Sequence, residues 1–379
     1  MLTSFAAAQN IRVGVLGLFH PHELRLTPIA GSALVVHVDE QSIILEKSSG
    51  EGAATFNIDR NLIVIATKTR TLRAASLLVT SRENGAASFV LTVPDKITRR
   101  YYGTLELKPG SGKLTAVVNM DLETAVASVV GAESTPNDPI EALKAQSVAT
   151  RSYYVAGKRR HHGFDFCDTT HCQLLREPSP PSSQVAQAVS ATRGMVLAYQ
   201  SHPFAAMYTR SCSGHTKTPK DVGMPGDSYP YYSVDCKYCQ EHPFRWQRRI
   251  AASDAAKLHS SNEASRLNLV RRLGWNTVPG DDFTMQKEGD QMILNGIGMG
   301  HSIGLCQAGS KAMAHAGASF REIMAYYYPN STIVSLASES HASLNVQMEK
   351  YLGLLAGSKT NAPANRSSIS GREWERACR

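Results

Sequence analysis

The sequence lacks the features that would place it in several common classes of protein. No apolar run approaches the roughly 20 residues that a membrane-spanning helix requires, and no internal repeat is visible in the 379 residues. Basic residues are not interleaved with aromatic ones, as they are in proteins that bind single strands of nucleic acid, and aromatic residues make up only 7% of the chain. These absences argue against a helical membrane protein, a repeat protein and a single-strand binder.

The composition favours a globular protein with a basic surface. Hydrophobic residues make up 42% of the chain and the formal net charge is +8. The chain can therefore bury a core, and its surface suits a polyanion such as nucleic acid, an anionic membrane or an anionic cell-wall polymer. The densest basic run is Lys158-Arg159-Arg160, and we interpret most of the other charges as solvated.

The two ends of the chain differ from its middle. Residues 1–10 contain Phe5-Ala6-Ala7-Ala8-Gln9, which resembles the small-residue cleavage site of a secretory signal. We therefore expect an exported protein, periplasmic or associated with the cell wall. Residues 336–379 are polar, and we predict a partly disordered C-terminal tail there.

Between these ends the pattern of apolar residues changes near residue 120. Residues 11–120 predict a β-rich N-terminal module, because short apolar runs alternate with turns. Residues 121–335 mix helical and strand patterns, so the predicted fold class is α+β. Within this core we expect a loop over 161–182, irregular structure over 211–248 and helix over 250–273. The predicted strands are Ile11–Leu16, Ala33–Val38, Ser42–Leu45, Leu62–Ala66, Leu77–Val79, Phe89–Val93, Leu114–Val118, Gly194–Tyr199 and Phe204–Tyr208.

Two helices are predicted at the start of the core. Apolar residues over 122–130 recur at helical spacing after Asp121, which fits an N-cap. A second helix begins at Pro139. There Asp138, Pro139 and Glu141 fit an N-cap, a first-turn proline and the acid of a capping box.

Glu133 is the residue for which the sequence best predicts a chemical role. On a continuous helix it lies on the same face as Leu122 and Val129, near the C-terminus. Desolvation and the helix dipole both disfavour a carboxylate there and raise its pKa. A glutamic acid of raised pKa can protonate a glycosidic oxygen. Two alternatives stay open: Glu133 bends out to solvent, or Glu141 is the acid, although a capping box by itself accounts for Glu141.

A cluster of histidines and cysteines occupies residues 161–172. Two thiolates and two imidazoles satisfy tetrahedral zinc, and the predicted ligands are Cys167, His171, Cys172 and one of His161 or His162. A disulfide between the two cysteines is the competing interpretation, which export would favour. We favour zinc because of the two flanking histidines. A site with four protein ligands would be closed, so its ion would be structural. The predicted core therefore contains a zinc-bound loop.

Two further segments carry candidate residues. Cys236 and Cys239, which Cys212 could join, predict either a second zinc site or a set of disulfides, and spacing does not decide between them. His215 and His242 are possible additional ligands. The segment 296–304 is rich in glycine but lacks the lysine of a P-loop, so we interpret its glycines as allowing close backbone approach or positive φ before a helix over 302–315. His301 and Gln307 would then be the side chains near a bound ligand.

These motifs occur together in one known family. The chain resembles the sporulation stage II protein D and LytB (amidase enhancer) family over about residues 121–335. The matching stretches are SVVGAE (128–133), PIEALKAQSVATRSY (139–153), GFDFCDTTHCQ (163–173), ATRGMVLAY (191–199), SCSGHT (211–216), GMGHSIGLCQAGSKAMA (298–314) and AYYYP (325–329).

The resemblance implies a SpoIID-like lytic transglycosylase. Such enzymes cleave the MurNAc–GlcNAc bond of peptidoglycan to 1,6-anhydro-muramyl products, and Glu133 matches the single glutamate that acts as acid and then as base. The family's zinc ligands match the cluster at 161–172. The resemblance also implies that Ser211, Gly214, His301 and Gln307 bind substrate.

The chain also departs from the family pattern in its glycine segment. Ile297, Met299, Ser302 and Ala308 stand where the family usually has Arg, Trp, Gly and Trp. Since aromatic side chains stack on sugar faces, their replacement favours a second hypothesis. In it, the protein is a non-catalytic amidase enhancer that binds glycan and stimulates a cell-wall amidase. A zinc module that binds nucleic acid ranks far behind both, and we expect neither nucleic acid nor a transmembrane segment.

Overall fold

The computed structural model describes residues 9–83, 85–157, 161–222, 233–258, 269–270, 272–274 and 276–336. The predictions for a signal-like start and a disordered tail concern residues outside these ranges, apart from residues 9, 10 and 336. The basic run at 158–160 and Cys378 are likewise outside the described residues.

Two β-sheets form the N-terminal part of the chain, which the sequence predicted to be rich in β-strands. The strands β1 to β12 are Asn10–Val15, Glu23–Pro28, Leu34–Val38, Gln41–Leu45, Ala54–Asp59, Leu62–Ala66, Thr71–Ala74, Leu77–Ser81, Ser88–Val93, Ile97–Tyr102, Thr104–Gly110 and Lys113–Asp121. One sheet has the order β1-β12-β11-β8-β3-β4 and the other β10-β9-β2-β5-β6-β7, with antiparallel neighbours throughout. Each of the predicted strands in this region overlaps an observed one.

Helices and short strands follow in the second part, which confirms the α+β class. The helices α1 to α7 are Leu122–Glu133, Ile140–Ala156, Gln184–Ala191, Lys237–Glu241, Ala252–Ala255, Gln307–His315 and Phe320–Tyr327. The strands β13 to β21 are Phe166–Cys167, Met195–Tyr199, His202–Pro203, Tyr208–Thr209, Arg245–Ala251, Phe283–Glu288, Gln291–Ile297, Leu305–Cys306 and Thr332–Ser335. Strand β13 adds to the edge of the first sheet, parallel to β1.

Several local predictions are wrong. Residues 245–251 form strand β17, which pairs with β19, so the helix predicted over 250–273 does not begin at residue 250. Among the described residues of that range, α5 and residues 269, 270, 272 and 273 are helical. Trp246 and Ile250 of β17 are buried, whereas Arg245, Gln247 and Arg249 are exposed, so the strand has one buried face. The irregular stretch predicted over 211–248 contains α4, and of Phe204–Tyr208 only Tyr208 lies in a strand.

The caps of the first two helices show how far local signals reach. Asp121 accepts a hydrogen bond from the backbone N–H of Thr124 at 3.1 Å, so it is the N-cap of α1 as predicted. The capping box predicted for α2 is wrong, because Pro139 occupies the N-cap position. Asp138 instead accepts from the backbone and hydroxyl of Thr135 and pairs with Lys311 at 2.7 Å.

One hydrophobic cluster joins the two parts of the chain. Its buried members run from Ile11 in β1 through Val126 in α1 to Tyr328 after α7. A smaller second cluster packs Trp246 of β17 against Phe283 of β18 and their neighbours. The boundary predicted at residue 120 falls where β12 passes directly into α1, inside the larger cluster. The division into domains stays a prediction.

A buried ion pair fixes α1 against α2. The Arg151 side chain is 0% exposed and binds both carboxylate oxygens of Glu123, at 2.9 and 2.7 Å. The backbone N–H of Gly194 also donates to Glu123, at 3.2 Å. The pair therefore sets the position of the helix that ends at Glu133.

We expect Arg151→Met to lower the free energy of unfolding by about 3–5 kcal/mol, because it leaves Glu123 charged and buried without its partner. Urea denaturation measures the change. The double variant Arg151→Met/Glu123→Leu is the control and should recover much of the loss, since it removes both charges. A single-variant loss below about 1 kcal/mol would contradict this role for the pair.

Candidate active site

A cleft of about 410 Å³ opens beside the C-terminus of α1. The loop after β13, strand β16 and the glycine-rich segment form its walls. The residues that line it are Ala132, Glu133, Tyr153, Thr170, His171, Cys172, Gln173, Leu174, Met207, Tyr208, Thr209, Arg210, Asn276, Pro279, Met299, Gly300 and His301.

Glu133 is the last residue of α1 and faces this cleft half-buried. Burial raises the pKa of its carboxyl to about 7, although the backbone N–H of Leu174, the charge of Arg210 and the amide of Gln307 oppose the rise. The Gln307 Nε2 lies 3.4 Å from Glu133 Oε2. Near neutral pH a substantial fraction of Glu133 is therefore protonated, as a general acid requires.

Glu133 is the only carboxylic acid among the described residues that line the cleft. Hydrolysis by the common two-carboxylate route needs a second acid within about 5–10 Å across the scissile bond. The lining residues therefore fit a reaction in which one carboxyl first donates a proton and later accepts one better than they fit two-carboxylate hydrolysis.

The raised pKa predicts how Glu133 affects stability. A carboxyl whose folded pKa lies above its unfolded value, here about 7 against 4.5, costs no stability below pH 4.5. It costs progressively more as the pH rises to about 7. We expect Glu133→Gln to match the wild type in free energy of unfolding near pH 4 and to exceed it by about 3 kcal/mol at pH 8.

Urea denaturation at both pH values measures this difference. Glu141→Gln is the matched control. The pKa of Glu141 lies below its usual value, since hydrogen bonds from Lys144 and the Phe320 backbone outweigh the effect of burial. This control should therefore lose stability at pH 8. An equal advantage of Glu133→Gln at pH 4 and pH 8 would contradict the raised pKa.

The other predicted acid, Glu141, is not among the cleft-lining residues. Its carboxylate binds Lys144 at 2.6 Å and accepts from the backbone N–H of Phe320 at 2.7 Å, which ties α2 to α7. The capping role predicted for it is wrong, but it does have a structural role.

Of the four predicted substrate-binding residues, Gln307 contacts the carboxyl of Glu133 and His301 is among the residues that line the cleft. His301 lines it, and its Nδ1 accepts from the backbone N–H of Ile303 at 3.1 Å, so a neutral ring has its proton on Nε2. Gln307 is 1% exposed and contacts Glu133. No described residue hydrogen-bonds to Oε1 of Gln307, which leaves an unpaired buried acceptor next to Glu133.

The other two predicted substrate-binding residues, Ser211 and Gly214, contact cysteines outside the cleft. The hydroxyl of Ser211 lies 3.5 Å from Cys239 Sγ, and the carbonyl of Gly214 accepts from the backbone N–H of Cys236 at 2.8 Å. Neither lines the cleft. Both residues belong to the SCSGHT motif, and their hydrogen bonds connect this motif to a cluster of cysteines.

The glycine segment has the conformation predicted for it, although its start and end differ. Gly298, Gly300 and Gly304 have φ of 80°, 99° and 69°. A Cβ on Gly300 would lie 2.5 Å from the Thr209 hydroxyl oxygen, so the close approach to β16 requires glycine. Gly296 lies in strand β19, and the helix begins at residue 307 rather than 302.

Arg210 is a cleft residue that the sequence analysis missed. Its Nη1 donates to the backbone carbonyl of Glu133 at 2.8 Å, which neutralises part of the negative end of α1. The only signal was its place next to the SCSGHT motif, and an isolated arginine in a basic chain carries little information.

Four ligand-type side chains meet in the loop beside the cleft. The ligand atoms of His161, Cys167, His171 and Cys172 all lie within 4.8 Å of one another. His161 Nε2 is 3.2 Å from Cys172 Sγ, and His171 Nδ1 is 3.6 Å from Cys167 Sγ. His162, the alternative predicted ligand, is exposed and outside this group. Both cysteines are free, so the competing disulfide is absent from the described loop.

Residues of both N-terminal sheets hold this loop in place: Leu16 directly follows β1, and Arg99 lies in β10. Asp168 accepts from the backbone N–H of Leu16 at 3.1 Å and pairs with Arg99 at 2.8 Å. Burial raises the pKa of Asp168 to about 6, against the opposing effects of these two partners. The N-terminal module thus buttresses the wall that contains His171 and Cys172.

The chain is thus an α+β protein with a cleft in which Glu133 is the one carboxylic acid among the described lining residues. A carboxylic acid with a pKa near 7 can serve as a general acid or base. No helix among the described residues combines the length and apolar character needed to cross a membrane.

Comparison with known proteins confirms the family resemblance. The model of the SpoIID family, described as Stage II sporulation protein, matches residues 110–199, which contain Glu133 and the four ligand-type residues of the loop. An uncharacterized protein of Brachyspira hyodysenteriae is 28% identical over 271 residues, 62% of this chain and 72% of that protein.

Two similar proteins of Bacillus subtilis have descriptive names. Stage II sporulation protein D is 25% identical over 62% of this chain and 79% of its own length. Amidase enhancer is 24% identical over 52% of this chain and 38% of its own length.

Proposed function

We propose that this protein is a lytic transglycosylase that cleaves peptidoglycan glycan strands between MurNAc and GlcNAc. The observation that supports this most directly is a single carboxyl in the cleft with a pKa raised to about 7. The names of the similar proteins, which concern sporulation and an amidase, are consistent with work on the cell wall.

In the proposed reaction Glu133 acts twice. The protonated carboxyl first gives its proton to the glycosidic oxygen as the bond from that oxygen to C1 of MurNAc breaks. The resulting carboxylate then takes the proton of the C6 hydroxyl, whose oxygen bonds to C1. The products are a 1,6-anhydro-muramyl end and a free GlcNAc hydroxyl, no water is consumed, and Glu133 returns to its starting state.

The surroundings of Glu133 suit both halves of this cycle. Burial favours the protonated form needed at the start. Arg210, the Leu174 N–H and Gln307 favour the carboxylate that exists between the two transfers. These opposing influences hold the pKa near the pH at which an acid–base catalyst works best.

We further propose that His161, Cys167, His171 and Cys172 hold one zinc ion. The donor set is one of those found in closed structural sites, and its atoms lie close enough together for a single ion. Such an ion would stiffen the loop but take no part in the proton transfers. His171, Cys172 and Leu174 would then present a fixed wall beside Glu133.

A second function rests on a separate observation. Met299 lines the cleft where the family pattern has a tryptophan, and Trp246, which packs on Gly296, is buried. A cleft with fewer aromatic faces for sugar rings favours a glycan-binding enhancer of a cell-wall amidase over an efficient enzyme. In both functions we place the protein outside the cytoplasm, at the cell wall.

One experiment separates the two. Purified protein is incubated with glycan strands stripped of peptide stems, and the products are analysed by mass spectrometry, while co-sedimentation with the same strands measures binding. The enzyme hypothesis expects anhydro-muramyl fragments. Binding without such fragments rejects it, and stimulation of a cell-wall amidase on intact peptidoglycan would then support the enhancer.

A further inference from the structure

Four cysteines from three distant stretches meet in a second cluster, which we call the four-cysteine group. Cys212 follows β16, Cys236 and Cys239 bracket the start of α4, and Cys306 ends β20. Each is at most 2% exposed, and all four sulfur atoms lie within 4.8 Å of one another. Cys306 was not among the residues that the sequence analysis assigned to this cluster, and neither His215 nor His242 belongs to it.

From this geometry we infer a second metal site, in which the four-cysteine group binds one zinc ion. A tetrahedral ion with zinc–sulfur bonds of about 2.3 Å places its thiolates about 3.8 Å apart. The sulfur atoms of Cys239 and Cys306 are 3.6 Å apart. A disulfide needs about 2.05 Å and joins sulfurs only in pairs. A cluster of two or four irons would separate the thiolates further, because they would be divided among different iron atoms.

Hydrogen bonds to the sulfurs support the same inference. The backbone N–H groups of Cys212 and Gly309 both point to Cys306 Sγ at 3.4 Å. The hydroxyl of Tyr327 lies 3.4 Å from Cys236 Sγ. Donors around the sulfurs are what a metal-bound thiolate attracts, and they orient the ligands. Apolar packing alone would not need them.

Glycine at residue 309 lets α6 approach the group. A Cβ there would lie 2.6 Å from Cys236 Sγ and 2.0 Å from the Tyr327 hydroxyl. The backbone at residue 309 therefore lies so close to the sulfur of Cys236 that only glycine fits there. The four-cysteine group is buried from solvent. A closed site with four protein ligands is structural.

The site also joins the residues that hold Glu133. Cys306 directly precedes Gln307, whose amide contacts the Glu133 carboxyl. Arg210, which binds the Glu133 carbonyl, lies two residues before Cys212, and its own carbonyl accepts from Ala308 at 3.1 Å. A metal ion that links Cys212 to Cys306 would fix Arg210 and Gln307 relative to each other. This positioning role, unlike the metal site itself, rests on the proposed function.

Metal analysis of the full-length protein, purified with a reductant and without chelator, tests the site. We expect two zinc ions per chain in the wild type and in the control Cys378→Ala. Cys239→Ala and Cys172→Ala should each retain one. Replacement with cobalt should give the absorption of a four-thiolate site in Cys172→Ala but not in Cys239→Ala.

Cys239→His provides a variant that preserves the fold, because three cysteines and one histidine also hold zinc. We expect it to keep two ions. No zinc in Cys172→Ala, two zinc ions in Cys239→Ala, iron in place of zinc, or disulfides among these cysteines in alkylated, unreduced protein would each overturn the inference. Metal content is independent of glycan cleavage, so failure of the proposed function would leave this result standing.

The positioning role is tested through the pH profile. If the ion holds Gln307 and Arg210 near Glu133, loss of this ion in Cys239→Ala should change the pH at which the cleavage rate falls on the alkaline side. Cys239→His, which keeps the ion, should have the wild-type dependence of rate on pH. If Cys239→Ala still binds glycan and its rate falls at the same pH as that of the wild type, this positioning role is rejected, but the inference of a metal site is not affected.

Discussion

Glu133→Gln is expected to lower the rate of anhydro-muramyl product formation by about 10²–10⁴-fold. The amide has the shape of the protonated acid, so glycan binding and the fold should be preserved, but it cannot give up a proton and take one back. Quantitative mass spectrometry of the products measures the rate. Co-sedimentation with glycan strands verifies that the variant still binds.

The wild-type rate should also fall as the pH rises through about 7, since burial places the Glu133 pKa there and the reaction begins from the protonated form. The residual activity of Glu133→Gln should lack this limb. Glu141→Gln is the matched control and should keep both rate and profile, because its carboxylate binds Lys144 and the Phe320 backbone away from the cleft. If Glu141→Gln lowered the cleavage rate and Glu133→Gln did not, Glu141 rather than Glu133 would be the acid.

Cys172→Ala is expected to lose one zinc ion and to lower the cleavage rate about 100-fold, because small displacements of catalytic groups have effects of that size. Cys172 and Leu174 both line the cleft, and the Leu174 N–H interacts with the Glu133 carboxylate. Releasing the loop would move that donor. Metal analysis and the product assay on the same preparation measure both effects.

Cys378→Ala is the control for the cysteine substitution itself and should match the wild type in both measurements. His162→Ala tests the choice between the two adjacent histidines and should keep the ion, whereas His161→Ala should lose it. Equal zinc content in Cys172→Ala and the wild type would contradict the loop site, and zinc loss without a change in rate would separate the ion from the cleft.

Local patterns in the sequence determined the features that depend on neighbouring residues. Short apolar runs separated by turns in the first 120 positions predicted most strands of the two sheets, and the N-cap residue Asp121 predicted the start of α1. Where other partners competed for the side chain that a local pattern assigned, the prediction failed. Asp138 satisfied the rules for an N-cap, yet its carboxylate is taken by Thr135 and by Lys311, a residue of α6 far along the chain.

The sequence by itself determined the chemical types at the site: an acid at the end of an apolar helix face, soft ligands within twelve positions, and glycines where the backbone must turn. The tertiary structure alone decided which of these meet. In the structure His161 rather than His162 lies with the other ligand-type residues of the loop, and Cys306 lies with three cysteines that are far from it in the chain. Arg210 and Gln307 both contact Glu133. Spacing along a chain reports contacts within a helix or strand, whereas these depend on packing between elements, which no local pattern records.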